Sequence, residues 1–246
     1  MNLNWLYKIP IIQKTYSFHF VKVVEAKILL EFLGEPEKND VVLDVACGVG
    51  RYSLQLADRS KDVYGFDMDK YKVRIANRCR KPNNYFLAAS AENLPFIPEF
   101  FDKVFCACSL EHFADDEKAL REMSGAIKNG GILSLSVDSL GKESPVELRK
   151  WVEEKSSTVR FYSSQMLKEK LATAGFKVHF VRYYIKSSIS KFLFYVSRTT
   201  NGVIFQILFP LFPLVCSLSI LSDRRLGQDG KGYQLAMKAV KQRKPK

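Results

Sequence analysis

Residues 41–53 read VVLDVACGVGRYS, a short β-branched apolar run followed by a turn that contains two glycines. The apolar part has the length and composition of a buried parallel strand. Gly48 and Gly50 have no Cβ, so the chain can turn sharply there and bring its amides close to a ligand. A helix that begins after this turn would present free N–H groups and the positive end of its dipole. The stretch therefore predicts a strand, a ligand-binding loop and a helix in one unit.

Asp44 and Ser53 indicate which ligand suits this loop. Dinucleotide-binding loops normally have a third glycine where Ser53 stands. A carboxylate at Asp44 would repel a pyrophosphate, whereas it would attract an ammonium group. The loop thus favours a ligand that carries an ammonium group. Taken alone, it is also compatible with a purely structural strand-to-helix turn.

A second predicted strand, VYGFD at residues 63–67, ends in another acid. The carboxylate of Asp67 at this strand tip can accept hydrogen bonds from both hydroxyls of a ribose. Met68 follows, and its polarizable thioether suits contact with an adenine face, although ordinary packing is the alternative. The two strand ends together predict a nucleoside site.

This pattern resembles motif I of the class I S-adenosylmethionine-dependent methyltransferases, which usually reads Leu-Asp-x-Gly-Cys-Gly-x-Gly. The chain has Ala46 in place of the first glycine, the smallest possible departure. The residues that it keeps are Leu43, Asp44, Cys47, Gly48 and Gly50. The resemblance implies that S-adenosylmethionine is the cofactor and that the fold is α/β.

The loop after a third predicted strand, at residues 85–88, extends the resemblance. Residues 89–96, ASAENLPF, are similar to the segment Gly-Asp-Ala-Glu-x-Leu-Pro-Phe of the ubiquinone/menaquinone-like group. Ser90 stands where the family's Asp meets the adenine amino group, and a hydroxyl accepts that hydrogen bond more weakly. Residues 101–112, FDKVFCACSLEH, match the family's fourth strand and its loop. The cofactor residues that the resemblance implies are Asp44, Ala46, Cys47, Gly48, Gly50, Asp67, Met68, Ser90, Ala91, Glu92, Cys108 and Leu110.

The implied architecture is a doubly wound, Rossmann-like sheet of seven strands whose last strand is antiparallel. A helix over 115–128, a turn at Asn129–Gly131 and a fifth strand over 132–137 would complete the core. We expect one domain over residues 1–246 with four segments: an N-terminal helical lid or packing segment at 1–36, the cofactor-binding core at 37–186, an apolar, basic helical insertion at 187–231, and a final strand with a basic tail at 232–246.

Residues 202–221, GVIFQILFPLFPLVCSLSIL, form a long apolar run. About 20 apolar residues can span a bilayer, but Pro210 and Pro213 interrupt the run and favour two short helices. A single crossing would also leave the final strand on the wrong side of the membrane. We therefore expect residues 187–226 to form a helical attachment in the membrane interface, with a buried hydrophobic cap or a dimer surface as the alternative.

The positive charge lies in the same half of the chain. Residues 142–246 hold 20 Lys and Arg against seven Asp and Glu, whereas residues 1–141 are nearly neutral. The cations that flank the apolar run could meet anionic head groups: Lys191, Arg198, Arg224, Arg225 and Lys231. Nucleic acid is the alternative partner of a chain with a pI of about 9.4. No RNA-binding module is recognisable, and CSLE at 108–111 lacks the Pro-Pro motif common in base-amine methyltransferases, so lipid is favoured.

Cysteine and histidine usage indicates the compartment. Five scattered cysteines, an odd number, favour reduced thiols in the cytoplasm,. Isolated histidines predict no metal site. Residues 1–12 lack the features of a secretory signal. We expect a cytoplasmic protein, peripheral at the membrane, whose oligomeric state the sequence does not give.

The predicted function is methyl transfer from S-adenosylmethionine to an apolar or membrane-associated small molecule, such as a lipid, a quinone precursor or a lipid-linked glycan intermediate. His112, after the fourth strand, is the candidate general base and Glu111 could orient it, although helix initiation or packing explains the pair equally well. Two alternatives remain: a non-catalytic methyltransferase-like assembly protein at the membrane, and an RNA methyltransferase. The departures Ala46, Ser90 and Asn129 keep the non-catalytic alternative open.

Overall fold

The computed structural model describes residues 20–34, 37–141, 144–156, 158–199, 212–226 and 231–243. The predicted N-terminal segment is thus described from residue 20 onward, and residues 202–211 of the apolar run lie outside the described part.

Seven strands form one sheet in the order β3-β2-β1-β4-β5-β7-β6. Strands β1 to β5 are parallel, and β7 pairs antiparallel with both β5 and β6. The strands are β1 (Val41–Val45), β2 (Asp62–Asp67), β3 (Asn84–Ala88), β4 (Phe101–Ala107), β5 (Ile127–Asp138), β6 (Phe176–Tyr184) and β7 (Gln234–Lys241). The predicted Rossmann-like sheet with an antiparallel last strand is confirmed.

Helices cover both faces of the sheet. They are α1 (Phe20–Leu33), α2 (Arg51–Leu56), α3 (Lys70–Cys79), α4 (Asp116–Ala126), α5 (Val146–Ser156), α6 (Ser164–Thr173), α7 (Ser188–Thr199) and α8 (Phe212–Arg225), with a 3₁₀ turn at Leu110–His112. Side-chain caps fix several of their starts: Asp69 accepts hydrogen bonds from two amides of α3, and Asp115 and Ser163 each accept one at α4 and α6,.

Strand alternation divides the core in two. Leu43 of β1 packs with α4 and α6 on one face, while the adjacent Val42 packs with α1, α5, α7 and α8 on the other,. The parallel register sets Val45 beside both Phe66 and Cys106. The loops after β1, β2 and β4 therefore leave the sheet at one edge, where the strand order reverses and α/β proteins bind ligands.

The fifth strand differs from the sequence prediction. Asn129–Gly131 was expected to be a turn, but β5 runs unbroken from Ile127 to Asp138. The pairing with β4 shifts between Phe101 and Lys103, and Gly130 adopts a φ of +81°. A bulge that glycine tolerates thus absorbs the irregularity inside the strand.

The described part of the insertion before β7 contains the helices α7 and α8, which pack on each other and on α1. Pro210 lies outside the described residues, and Pro213 lies in the first turn of α8, where proline is tolerated,. No helix in the described ranges has both the length and the apolar character that a membrane crossing needs. The division of the chain into four segments stays a prediction.

Candidate cofactor and acceptor site

The loop after β1 is held in left-handed backbone conformations. Gly48 and Gly50 have φ angles of +57° and +82°, and Ala46 has a φ of +53°. A Cβ on Gly50 would lie 2.8 Å from Cζ of Phe86, whereas a Cβ on Gly48 would meet nothing within 4 Å. Gly50 is thus required by packing, and Gly48 borders open space that a ligand can enter. Ala46 adopts a conformation that costs a non-glycine residue about 1 kcal/mol or more, which explains why the family usually has glycine there.

Asp67 ties the ends of β1 and β2 together. Its buried carboxylate accepts a hydrogen bond from the Gly48 amide at 2.9 Å through Oδ2, and one from the Asp69 amide at 2.9 Å through Oδ1. Each oxygen can accept a second hydrogen bond. The carboxylate is therefore held in a fixed orientation beside the Gly48 loop, and its contact with a ribose stays a prediction.

Asp44 lies beneath the loop, where its side chain is 1% exposed. The Ser53 hydroxyl, in the first turn of α2, donates to Oδ2 of Asp44 at 2.5 Å. Burial raises the pKa of the Asp44 carboxyl to about 7, and the hydrogen bonds from Ser53 offset only part of that rise,. Asp44 and Ser53 thus join strand to helix, an interaction that the sequence did not predict.

This buried acid should make the stability of the protein depend on pH. The Asp44 carboxyl titrates at about 7 when folded, against an ordinary value of 3.8, so between these values the folded protein binds more protons than the unfolded chain. The contribution of the Asp44 carboxyl to the free energy of unfolding is therefore complete below its unfolded pKa of 3.8. It is lost as the pH rises through the folded pKa of about 7, at up to ~1.4 kcal/mol per pH unit,. Asp44→Asn should flatten this slope in urea unfolding measured between about pH 5 and 8.

The half-buried Asp62, at the start of β2, provides the matched control. Asp62→Asn should leave the slope unchanged because this acid lies at the opposite end of the sheet. A slope that persisted in Asp44→Asn would contradict the assignment.

The two residues predicted to contact the adenine ring, Met68 and Ser90, are exposed to solvent. Met68 is 79% exposed directly after β2, and Ser90 is exposed after β3. The Ser90 hydroxyl accepts a hydrogen bond from the Glu92 amide at 3.2 Å, and the Glu92 carboxylate accepts one from the Asp115 amide at 3.0 Å. Ala91 is buried in the core. Met68 and Ser90 are thus free to face a ligand, while Glu92 and Ala91 hold the loop.

The cysteine of motif I supports the loop from below. Cys47 is 7% exposed, its amide donates to the Phe66 carbonyl at 2.8 Å, and its side chain packs with Phe86. Burial raises the pKa of the Cys47 thiol. This thiol is therefore a packing group and not a nucleophile.

A polar cluster lies on the acceptor side, at the ends of β4 and β5. Its centre is Glu25 of α1, which is fully buried and accepts hydrogen bonds from Tyr52, Cys108 and Ser136 at 2.7, 2.6 and 2.7 Å. The Lys22 amine lies 2.8 Å from the same carboxylate. Burial alone would raise the pKa of Glu25, but the charge of Lys22 and these donors lower it to about 2. A charged carboxylate is thus held in the interior by a complete set of donors.

The cluster continues to β7. The amide group of Gln234 donates to Oδ1 of Asp138, and its oxygen accepts from the Cys108 thiol at 3.0 Å. The hydroxyls of Tyr184 and Thr158 donate to Gln234 and to Asp138, at 3.3 Å in each case. Cys108 itself has a φ of +43°, and its amide donates to the carbonyl and the hydroxyl of Ser136 on β5, at 3.0 Å each.

Glu111 and His112 are placed differently although they are neighbours. Glu111 is fully buried, and its Oε1 accepts a hydrogen bond from the Asp138 amide at 3.1 Å. Burial raises the pKa of Glu111, and the charge of Asp138 adds to the rise. His112 is exposed at the end of the 3₁₀ turn, and Leu110 is buried in the core. Glu111 is thus committed to β5, and His112 is the group that an acceptor can reach.

Cys108, Glu111 and Asp138 are also the group that could hold a metal in the described ranges, with ligand atoms within 4.8 Å of one another. Protein donors already occupy the oxygens of Asp138, and the Cys108 thiol is directed at Glu25. Burial raises the pKa of this thiol further, which disfavours the thiolate that a metal requires,. The cluster fits a proton-bearing hydrogen-bond network better than a metal centre.

The comparisons with known proteins agree with this geometry. Residues 43–135 match the family described as methyltransferase domain. This stretch of the chain carries a methyltransferase domain of the class I type. The recognition made from the motifs is therefore confirmed, as is S-adenosylmethionine as the cofactor of the family.

Relatives of known sequence match mainly over this core. An uncharacterized methyltransferase, YcgJ of Bacillus subtilis, is 33% identical over 43% of this chain and 43% of its own length. Demethylmenaquinone methyltransferase of Renibacterium salmoninarum is 38% identical over 37% of this chain and 38% of its own. The chain thus spans less than half the length of these curated relatives.

Solved structures match over more of the chain. Phosphoethanolamine N-methyltransferase 2 of Haemonchus contortus, in complex with S-adenosyl-L-methionine, gives a TM-score of 0.66 at 17% identity and covers 89% of this chain and 52% of that one. An identity this low shows the shared fold alone.

The structure brings most of the predicted residues to one edge of the sheet, but it adds a residue that the sequence prediction missed. Glu25 lies on the same helical stripe as Val21, Val24 and Ile28, which are all buried. A charged residue on an otherwise apolar face was the available signal, because such a residue must find buried partners.

Proposed function

We propose that this protein transfers the methyl group of S-adenosylmethionine to an apolar or membrane-associated small molecule, and that it works as a peripheral protein on the cytoplasmic side of a membrane. The cofactor part of the proposal is supported by the methyltransferase core and the pre-oriented Asp67 carboxylate. The acceptor part is supported by a surface of α7 and α8.

That surface, the apolar stripe, is the single observation that carries the proposal. Large apolar side chains stand exposed at helical spacing along both helices: Ile189, Phe192 and Tyr195 on α7, and Leu214, Leu218 and Leu221 on α8. Large apolar side chains exposed at helical spacing are typical of an interaction site. Lys191, Arg224 and Arg225 stand beside it, and cations next to an apolar surface suit an anionic membrane,.

The helices that carry the stripe also contact the part of the molecule that surrounds the candidate site. Both pack on α1, whose Glu25 reaches the ends of β4 and β5. A membrane bound at the stripe would therefore keep the protein at the lipid surface, and a sparingly soluble acceptor would not need to cross water. The name of the Renibacterium relative gives demethylmenaquinone as its substrate, and a prenylated quinone precursor, a lipid or a lipid-linked glycan intermediate would suit this chain.

The chemistry asks little of the protein beyond placement. When bound, S-adenosylmethionine supplies an electrophilic sulfonium methyl group. Asp67 and the Gly48 loop would fix the position of the nucleoside, and the hydrogen bonds around the buried Glu25 would hold the ends of β4 and β5 in place. Alignment of the acceptor and exclusion of water should then supply most of the rate acceleration.

The direct test is radiolabelled methyl transfer into a total cell extract that is partitioned between organic and aqueous phases. Label in the organic phase supports the proposal, and label confined to RNA or to water-soluble compounds contradicts it. Cofactor binding by calorimetry without any methyl transfer would instead support a non-catalytic assembly protein.

The apolar stripe makes its own prediction. Phe192→Ser combined with Leu218→Ser should lower flotation with neutral phosphatidylcholine vesicles about 30-fold, because each half-exposed side chain loses ~1 kcal/mol of apolar burial. Ile97→Ser is the matched control, since Ile97 is 69% exposed but lies in the loop before β4. Equal flotation of the stripe variant and the control would assign the stripe to a protein contact instead.

A further inference from the structure

A charged groove lies beside the base of α7 and α8. It has a volume of about 240 Å³ and is bounded by α1, the last residues of β6 and the end of α8. Val24, Ile28 and Ile220 give it an apolar wall, and it is lined by four cations: Lys27, Arg182, Lys186 and Arg224. Pockets that enclose a drug-sized ligand usually measure about 300–1,000 Å³, so this groove suits a small group rather than a whole lipid.

The two acids of the groove, Glu31 and Asp223, are already engaged by protein donors. Arg182 donates to both oxygens of Glu31, at 2.7 and 2.8 Å. The Oδ1 of Asp223 accepts hydrogen bonds from the amides of Lys186 and Ser187 and from the Ser190 hydroxyl, at 3.1, 2.8 and 2.6 Å. These contacts fix α8 against the start of α7, and the groove lining holds four cations against two acids.

Lys27 and Arg224 are the two groove cations that lack a close acidic partner in the described part of the chain. Among the described residues, neither forms an ion pair within 4.0 Å. The pKa of Glu31 is lowered by the hydrogen bonds from Arg182 first, and the charges of Arg182, Arg224 and Lys27 lower it further. Because four cations line the groove against two acids, the groove keeps a net positive charge after these interactions.

The groove adjoins the apolar stripe on both helices. Arg224 lies three residues after Leu221 in α8, one helical turn from this stripe residue, and Lys186 lies three residues before Ile189, just ahead of the first residue of α7,. Asp223 joins these two helix ends, and the stripe runs from them along the helices. A cationic groove and an apolar surface side by side match the head group and the chains of an anionic amphiphile.

We propose that this groove binds the phosphate-bearing head group of an anionic membrane lipid, held by Lys27 and Arg224, while the chains of the lipid lie along the apolar stripe. The inference rests on the membrane attachment proposed above and adds a defined site to it. A site of this kind would set the rotation of the protein on the membrane, which apolar burial alone does not determine.

The test is flotation of the full chain with two sets of vesicles, phosphatidylcholine alone and phosphatidylcholine with a minority of phosphatidylglycerol. The groove variant combines Lys27→Gln with Arg224→Gln. The control variant combines Lys168→Gln with Arg225→Gln, which removes the same charge from exposed residues that do not line the groove. Thermal unfolding of all three proteins confirms that each is folded.

The original protein should float better with the anionic vesicles than with the neutral ones. On the anionic vesicles the affinity of the groove variant should fall about 30-fold and that of the control about fivefold or less, because each cation at the surface contributes ~1 kcal/mol. All three should float equally with neutral vesicles, which report the stripe alone. If the original protein did not float with the neutral vesicles, the proposed membrane attachment itself would be contradicted.

Three results would overturn the head-group site. Equal losses in the groove and control variants would show diffuse attraction without a defined site. Groove-dependent binding of sn-glycerol 1-phosphate without vesicles, combined with unchanged flotation, would show a site for a soluble phosphate. Groove-dependent self-association in sedimentation velocity without vesicles would show that a second copy of the chain occupies this surface.

Discussion

Asp67→Ala should lower the affinity for S-adenosylmethionine by about 30-fold to 1,000-fold, because two charge-assisted hydrogen bonds to a ribose are worth about 2 to 4 kcal/mol. The structure adds a second reason for a large effect. The same carboxylate accepts hydrogen bonds from Gly48 and Asp69 at 2.9 Å each, so its removal also releases the loop. Isothermal titration calorimetry with S-adenosylmethionine and its demethylated product measures the loss.

Asp67→Asn separates the two contributions. The amide keeps one oxygen for the loop but loses the charge and one acceptor, so we expect an intermediate affinity. Asp62→Asn, at the start of the same strand, should bind the cofactor normally. Unchanged affinity in Asp67→Ala would remove this residue from the site, and tighter binding of a dinucleotide than of S-adenosylmethionine would refute the cofactor assignment.

The core could be predicted from sequence because its signals are local. Val41–Val45 was predicted to the residue, since a β-branched run followed by a glycine turn leaves few alternatives,. The carboxylate of Asp67 was placed correctly because parallel register carries every strand end to one edge,. The family resemblance supplied the number of strands and the antiparallel last strand, which hydrophobic pattern alone does not give.

Other features depend on contacts between distant parts of the chain. Glu25 meets Cys108 and Ser136, which lie 83 and 111 residues away, and no local pattern encodes such pairs. The raised pKa of Asp44 likewise arises from burial beneath a folded helix. The expected turn at Asn129–Gly131 lies inside β5 instead, between the pairs Phe101–Ile127 and Lys103–Ile132, where the register with β4 shifts.

His112, the candidate base, is exposed at the end of the turn after β4. The amide of His112 donates to the Ser109 carbonyl at 3.0 Å, so the backbone of this turn is fixed while the imidazole faces outward. Glu111 lies in the interior with its carboxylate on the Asp138 amide. A proton taken from the acceptor would therefore pass to the histidine and not to its acidic neighbour.

If His112 takes the acceptor's proton, His112→Ala should lower kcat about 100-fold or more and leave cofactor affinity intact. His179→Ala is the control, because His179 is exposed on β6 and outside the candidate site. Steady-state kinetics with calorimetry of the same variants separates the possible roles. A loss below about tenfold, or a rise in KM with kcat unchanged, would show that His112 positions the acceptor or supports the turn. In that case the acceptor would be one that needs no deprotonation. The rate acceleration would then come from alignment of the acceptor with the methyl group, and the buried cluster around Glu25 would have a structural role only.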